Sequence, residues 1–295
     1  MKVICPNKTC KSFENINKDG SYFRADDSKR IQRYRCKGCG KRFSKATSND
    51  HYRLRRRRDS SMIEHLLCAK VSMRRIAKVL KMDRKTVARR MIALEKRALR
   101  QHRKLLDYLE KKKVTHMQFD DMITIEHTKM KPLSISIAVD KDTRLILGAQ
   151  VSQIPAFGHL AKKSRRKYGY RKSYHEAGLT KLFESISKTI DKDAIIKSDM
   201  HKSYPKFVSK YLSSCTYKAY EGGRSCVAGQ GELKRKGYDP LFILNHTCAI
   251  FRDSINRLVR KTWCSTKSPK MLQRHINIFI SYYNFKYIQY EVNTI

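Results

Sequence analysis

The feature that most constrains this chain is a change of period near residue 114. Before it, apolar residues recur at helical spacing. From His116 onward they alternate, and HMQFDDMITI, LSISIAVD and LILGAQVSQI form three strand-like runs rich in β-branched side chains. Lys141-Asp142 supplies a turn between the second and third. A helix is predicted from about His175 to Ile190, with Leu179, Leu182, Phe183 and Ile186 on one face. AIIKSD then reads as a fourth strand ending in Asp199, Tyr204 to Tyr211 as a short helix and CTYKAYEG as a fifth strand. After Pro240 comes a long amphipathic helix carrying Arg252, Leu258 and Arg260. The order β-β-β-α-β-α-β-α predicts one α/β domain over 114–295.

That order is the one found in the ribonuclease-H-like nuclease fold, a mixed-sheet catalytic domain. Its chemistry needs acidic side chains from separate elements to meet at one point. There, divalent ions activate the attacking oxygen and stabilise the leaving one in phosphoryl transfer. Asp120 falls in the middle of the first strand between Phe119 and Met122, where a turn aspartate has no reason to be. Asp199 ends the fourth strand, the expected neighbour of the first. Both are the predicted ligands of Mg²⁺ or Mn²⁺, which favour carboxylate oxygens. By strand alternation Asp121 faces the other way and is the second choice.

Charge names the partner class. The chain has 295 residues, with 66 Lys and Arg against 26 Asp and Glu, a formal net charge of +40. An excess of this size calls for a polyanion, and nucleic acid is the default partner. It is densest over 51–113, where 22 basic residues face 6 acidic ones, including the run Arg55 to Arg58. Apolar residues at 40% suffice for a real core and exclude a wholly disordered basic tail. No apolar stretch is long enough to cross a membrane, and MKVICPNKTC contains no apolar leader. A cytoplasmic location is therefore expected.

Over residues 1–50, Cys5 and Cys10 form a C-x4-C and Cys36 and Cys39 a C-x2-C, with Gly38 and Gly40 providing permissive backbone. Four thiolates complete the closed tetrahedral shell of a structural Zn²⁺, so a zinc ribbon is predicted, with Tyr22, Tyr34 and Phe43 as its small core. Cys68, Cys215, Cys226, Cys248 and Cys264 are scattered. Over 51–113, VSMRRIAKVLKMDRKTVARRMIAL predicts a helix-turn-helix. Ser72 caps a first helix bearing Ile76, Val79 and Leu80, Lys81-Met82 turns, and Asp83 caps a second helix. Val87, Met91 and Leu94 face inward there. Arg84, Lys85, Thr86, Arg89 and Arg90 point outward from its start, as in a recognition helix entering the major groove. The helical pattern continues through Leu99, Leu106 and Leu109 as a basic linker or dimer helix.

Several stretches together resemble the transposases of the insertion-sequence-one type, and among them a single-frame subgroup. They are CPNKTC, RCKGCGKRF, FDDMITIEHTKMKPLSISIAVD, IIKSDMHKSYP, GQGELKRKGYDPLFILNHTCA and RLVRKTWCSTK. The resemblance covers nearly the whole chain. It implies a DDE-type recombinase that needs Mg²⁺, cuts and joins DNA at the terminal inverted repeats of its element, and works as a homo-oligomer on paired ends. The chain departs from the family at the third acid. In that family a Glu stands seven residues before the Arg that here is Arg252, and this position is Asn245. Asn245 offers a carbonyl oxygen without charge, Glu232 in GQGELK is the alternative carboxylate, and His246 could reach a phosphate. Lys129, Lys131, Arg252 and Arg257 are further candidate DNA contacts. The missing Glu keeps open a second reading, a catalytically inactive DNA-binding regulator derived from a transposase.

Overall fold

Two compact units make up the chain, one from residues 1–66 with 73–97 and the other from 67–72 with 98–295. They are seen in a computed structural model that describes residues 3–10, 14–48, 52, 54–221, 239–259 and 262–288. The division falls inside a helix, between Arg97 and Ala98, and not after Lys113.

The first unit opens with a three-stranded antiparallel sheet: β1 (Ile16–Arg24), β2 (Lys29–Cys36) and β3 (Arg42–Ser44). Its core condenses on Cys5, Cys36 and Phe43, with Tyr34 packed beside them. Tyr22 does not join it. A register shift between Lys18 and Ser21 sets Tyr22 opposite Ile31, where it stays 39% exposed. Three helices follow: α1 (Asp59–Cys68), α2 (Met73–Val79) and α3 (Arg84–Lys112). The turn between α2 and α3 is tight. Lys81 takes the left-handed conformation, φ 47°, the Met82 amide returns to Ala77 O at 2.9 Å, and Asp83 Oδ1 accepts from the Lys85 amide at 2.6 Å. Ile63, Ile76, Val87, Met91 and Leu94 are buried. Val79, expected on the apolar face, is 65% exposed because α2 ends there and the chain turns away.

The second unit is a five-stranded mixed sheet. Its strands are β4 (Val114–Glu126), β5 (Thr128–Asp140), β6 (Ile146–Gln153), β7 (Ile190–Asp199) and β8 (Thr216–Tyr220), in the order β6-β5-β4-β7-β8. β5 runs antiparallel to both β4 and β6, while β7 runs parallel to β4 and β8 parallel to β7. Between β6 and β7 lie α4 (Leu160–Tyr168) and α5 (His175–Ile186), and between β7 and β8 lies α6 (Tyr204–Tyr211). α7 (Phe242–Ser254) and α8 (Pro269–Tyr282) complete the unit. Leu105 and Leu109, from the second half of α3, share the core with Phe119, Leu147, Phe183 and Phe207. Gly178 lets α5 lie directly on β6, since a Cβ there would stand 1.8 Å from Ser152 Oγ.

Departures from the predicted pattern have local causes. α5 stops at Ile186 because Ile190 already belongs to β7, paired with Val114. α7 stops at Ser254, since Ile255 is extended, φ −103° and ψ 108°. Leu258 therefore sits past the helix, in a 3-10 turn. α4 and α8 are additions to the predicted order. α8 protects the edge of the sheet. Gln273 bonds the Val151 amide (2.7 Å) and the Ala149 carbonyl (2.9 Å), and Asn284, just past α8, bonds both backbone groups of Ile146 at 3.0 Å. The outward polar groups of β6 are thereby satisfied, where an open strand would invite pairing with another chain. No helix among the described residues is long and apolar enough to cross a membrane.

Candidate functional site

The N-terminal cysteines converge as their spacing requires. Cys5 and Cys10 come from the segment before β1, Cys36 from the end of β2 and Cys39 from the knuckle after it. There Gly40, φ 67°, donates from its amide to Cys36 O at 2.9 Å. Cys5 and Cys39 have Sγ atoms 3.6 Å apart, Cys10 and Cys36 3.5 Å, and all four lie within 4.8 Å of one another. A zinc tetrahedron with ~2.3 Å bonds has an edge of ~3.8 Å, so the cluster is compatible with a structural Zn²⁺. The backbone hydrogen bond at Lys41 draws the Cys39 thiol down to about 6, toward the thiolate a metal takes.

The acidic residues meet at the centre of the mixed sheet. β4 and β7 pair side by side as far as Gln118 and Lys197. Asp120 and Asp199 stand two residues beyond this last pair, one on each strand, pointing the same way along a parallel pair. Burial pushes the Asp120 carboxyl up to about 7, with the Asp199 charge adding to the effect. The Tyr204 hydroxyl, at the start of α6, donates to Asp120 Oδ1 at 3.1 Å, and the Asp121 amide donates to the same oxygen at 2.6 Å. Asp199 Oδ1 accepts from the His201 amide at 3.1 Å.

Asp121 does not face away in isolation, as strict alternation predicts. Tyr204 leans over the strand and donates to Asp121 Oδ2 at 2.9 Å as well as to Asp120. Ser134 (2.8 Å), Ser136 and His175 donate to Asp121 too. Burial raises the Asp121 carboxyl, but these bonds, with His175 foremost, outweigh it and hold the group below the usual aspartate range. The hydrogen bond to Asp121 in turn raises His175. Asp121 is thus a saturated anchor between sheet, α5 and α6, and Asp120 is the carboxylate turned toward Asp199. No spacing rule marks His175 or Tyr204 in the sequence. Both act through contacts between elements more than 50 residues apart.

At the third position only Asn245 lies within the described residues. Asn245 is on α7 and exposed, and its Nδ2 donates to Asp239 Oδ2 at 2.9 Å. Asp239 Oδ1 also accepts from the Leu241 amide at 2.8 Å, just before the helix. Buried Gln118, two residues before Asp120, fixes this end of α7 by donating to Pro240 O (2.9 Å) and accepting from the Leu244 amide (3.0 Å). Glu232 lies outside the described residues, as do Cys226, Arg260 and Lys261. Among the described residues, only the four cysteines form a group of three or more metal-ligating side chains with all ligand atoms within 4.8 Å.

No protein-family model and no curated protein matches this chain.

The basic candidates divide by burial. Arg84, Lys85 and Arg89 at the start of α3 are exposed, and Thr86 is half-buried. Arg90 is 1% exposed and cannot reach DNA. One turn after Val87 it points inward, where Nη1 donates to Ser60 at 3.1 Å and burial lowers its pKa. Arg257 is not on the last helix either. It lies in the turn past α7, half-buried, donating to Thr266 Oγ1 at 3.2 Å. Arg252 is half-buried on α7. Lys129 is exposed, while Lys131 Nζ sits 4.4 Å over the Tyr168 ring.

Proposed function

We propose that the chain is a DDE-type transposase that binds the ends of its own mobile element through its first unit and cuts and joins DNA with its second. The observation that carries the reading is the placement of Asp120, in the middle of one strand, beside Asp199, at the end of the parallel strand next to it, in a chain of net charge +40. The strand order, with the fourth strand of the unit beside its first, supports a ribonuclease-H-like core. The two carboxylates fit a hard divalent cation. They are oxygen donors on adjacent strands, and the raised Asp120 pKa expresses burial first and the Asp199 charge second, a cost that a bound cation would offset. Asp120 and Asp199 would hold Mg²⁺ or Mn²⁺, which when bound supplies Lewis-acid activation of the attacking oxygen. Tyr204 and the Asp121 amide orient Asp120, and the His201 amide orients Asp199. Arg84, Lys85 and Arg89, on a helix-turn-helix, would read the terminal repeats of double-stranded DNA, with the zinc-bound ribbon beside them in the same unit. Two or more copies would pair the ends.

Strand transfer on labelled element ends with Mg²⁺ tests this. Asp120→Asn and Asp199→Asn are expected to lose joining by about 10³-fold or more while keeping end binding. At the third position, a severe loss in Asn245→Ala with a mild one in Glu232→Gln assigns the site to Asn245 and its partner Asp239, and the reverse assigns it to Glu232. The bond from Asn245 to Asp239 favours a second reading, a regulator whose third site is occupied by a structural amide. A native protein that binds ends and never joins them decides for that reading.

A further inference from the structure

The segment between β6 and α5 is not used by this mechanism. From Pro155 to Tyr174 it carries seven cations and no acid: Lys162, Lys163, Arg165, Arg166, Lys167, Arg171 and Lys172. Aromatic rings are interleaved with them and turned to solvent, Phe157 at 64%, Tyr170 at 79% and Tyr174 at 49% exposure. Rings this exposed contribute nothing to the core. The segment is nevertheless firmly held. Buried Ser164 donates to Met130 O at 2.7 Å, and Arg171 reaches Ile154 O (3.1 Å) and Glu126 (2.8 Å). The Tyr174 amide donates to Gln153 O at 2.8 Å. These anchors use Arg171 alone among the seven cations. Among the described residues no carboxylate pairs with Lys162, Lys163, Arg165 or Arg166. A cleft lined by Pro155, Ala161, Arg165, Tyr170 and Arg171 runs beside α4. The strip runs into α5, whose first residue, His175, bonds Asp121, the chain neighbour of Asp120.

We infer that this strip is a binding track for single-stranded DNA leading to Asp120 and Asp199. The cations would neutralise the phosphates, and the exposed rings would stack on unpaired bases. A duplex would leave those rings unused, because its bases already stack on one another. The assignment rests on the transposase reading for its purpose, to hold the strand freed at a cut end, and not for its chemistry.

The test uses the full chain and fluorescence anisotropy with a 12-nucleotide oligo-dT and a 12-base-pair duplex at several salt concentrations. Phe157→Ala with Tyr170→Ala is expected to weaken oligo-dT binding about tenfold or more, while duplex binding stays within about twofold. Lys162→Ala, Arg165→Ala and Arg166→Ala together should flatten the salt dependence for oligo-dT by about two in slope. Both sets lie at the surface, and an unchanged Tm reports an intact fold. Unchanged oligo-dT binding in the aromatic variant overturns the inference. An equal loss for both ligands also overturns it, in favour of a duplex-binding surface. A chain that binds oligo-dT through these residues but joins no DNA refutes the transposase reading alone. A chain that joins DNA while the aromatic variant binds oligo-dT like the native protein refutes only the track.

Discussion

Replacing Asp120 by asparagine is expected to stabilise the protein while abolishing joining. The Asp120 carboxyl is pushed up to about 7 from an ordinary 3.8, by burial first and the Asp199 charge second. Three units at 1.36 kcal/mol each set a ceiling of ~4 kcal/mol on the cost of holding that charge in the folded state. Because the folded pKa lies above the unfolded one, the cost is absent below about pH 4, grows between about pH 4 and 7, and is complete above that. Asparagine keeps the shape and the oxygen that accepts from Tyr204 and the Asp121 amide, and loses only the charge. In magnesium-free buffer at pH 8 the variant should therefore be ~2–4 kcal/mol more stable, a rise in Tm on the order of 5–10 °C. The advantage should vanish near pH 4. Added Mg²⁺ should raise the Tm of the native protein and leave that of the variant unchanged. Calorimetric melts at pH 4, 6 and 8, with and without Mg²⁺, read all three effects. A variant no more stable than the native protein at pH 8 without Mg²⁺, or equally favoured at pH 4, refutes the electrostatic argument.

Three further outcomes follow from named contacts. Cys36→Ser should lose the bound zinc and the order of β1 to β3 while the second unit melts unchanged, because the ribbon core is built on the sulfurs; metal analysis and hydrogen exchange check this, and a variant that retains one zinc per chain contradicts it. Arg84→Ala, Lys85→Ala and Arg89→Ala together should weaken end binding and lower the salt slope by about two to three, whereas Arg90→Ala should lower Tm instead, since its guanidinium is buried against Ser60; equal effects on binding from both would return Arg90 to the DNA surface. His102 and His275 are held down to about 4 by burial, so they stay neutral when folded; stability should fall as pH drops from about 6.5 to about 4, by up to ~3 kcal/mol each, opposite in sign to Asp120, and His275→Gln should remove its share from a pH series of urea melts.

Local chemistry determined a good deal of this protein before any folding. Alternation in 116–154 set out three strands, the helical period after His175 picked out four of the five residues that α5 buries, and two cysteine pairs with permissive glycines specified a cluster whose sulfurs meet. Asp120 was marked because an aspartate inside an apolar strand has no local reason to be there, and Asp199 because it ends the fourth strand-like run. Each of these signals lies within one element, where spacing alone decides which face a side chain takes. What lay between elements was decided only by tertiary structure. Arg90 reads as one more outward cation in a basic helix, and only its packing against Ser60 makes it a core residue. Strict alternation separates Asp121 from Asp120, yet Tyr204, arriving from a helix 84 residues later in the chain than Asp120, donates to both. α8 has no role of its own in the sequence. It acquires one by supplying Gln273, with Asn284 just beyond it, to an edge strand more than 120 residues earlier. Periodicity records how a residue faces its own element, and hydrogen bonds and charge interactions between elements depend on distances that exist only once the chain has closed on itself.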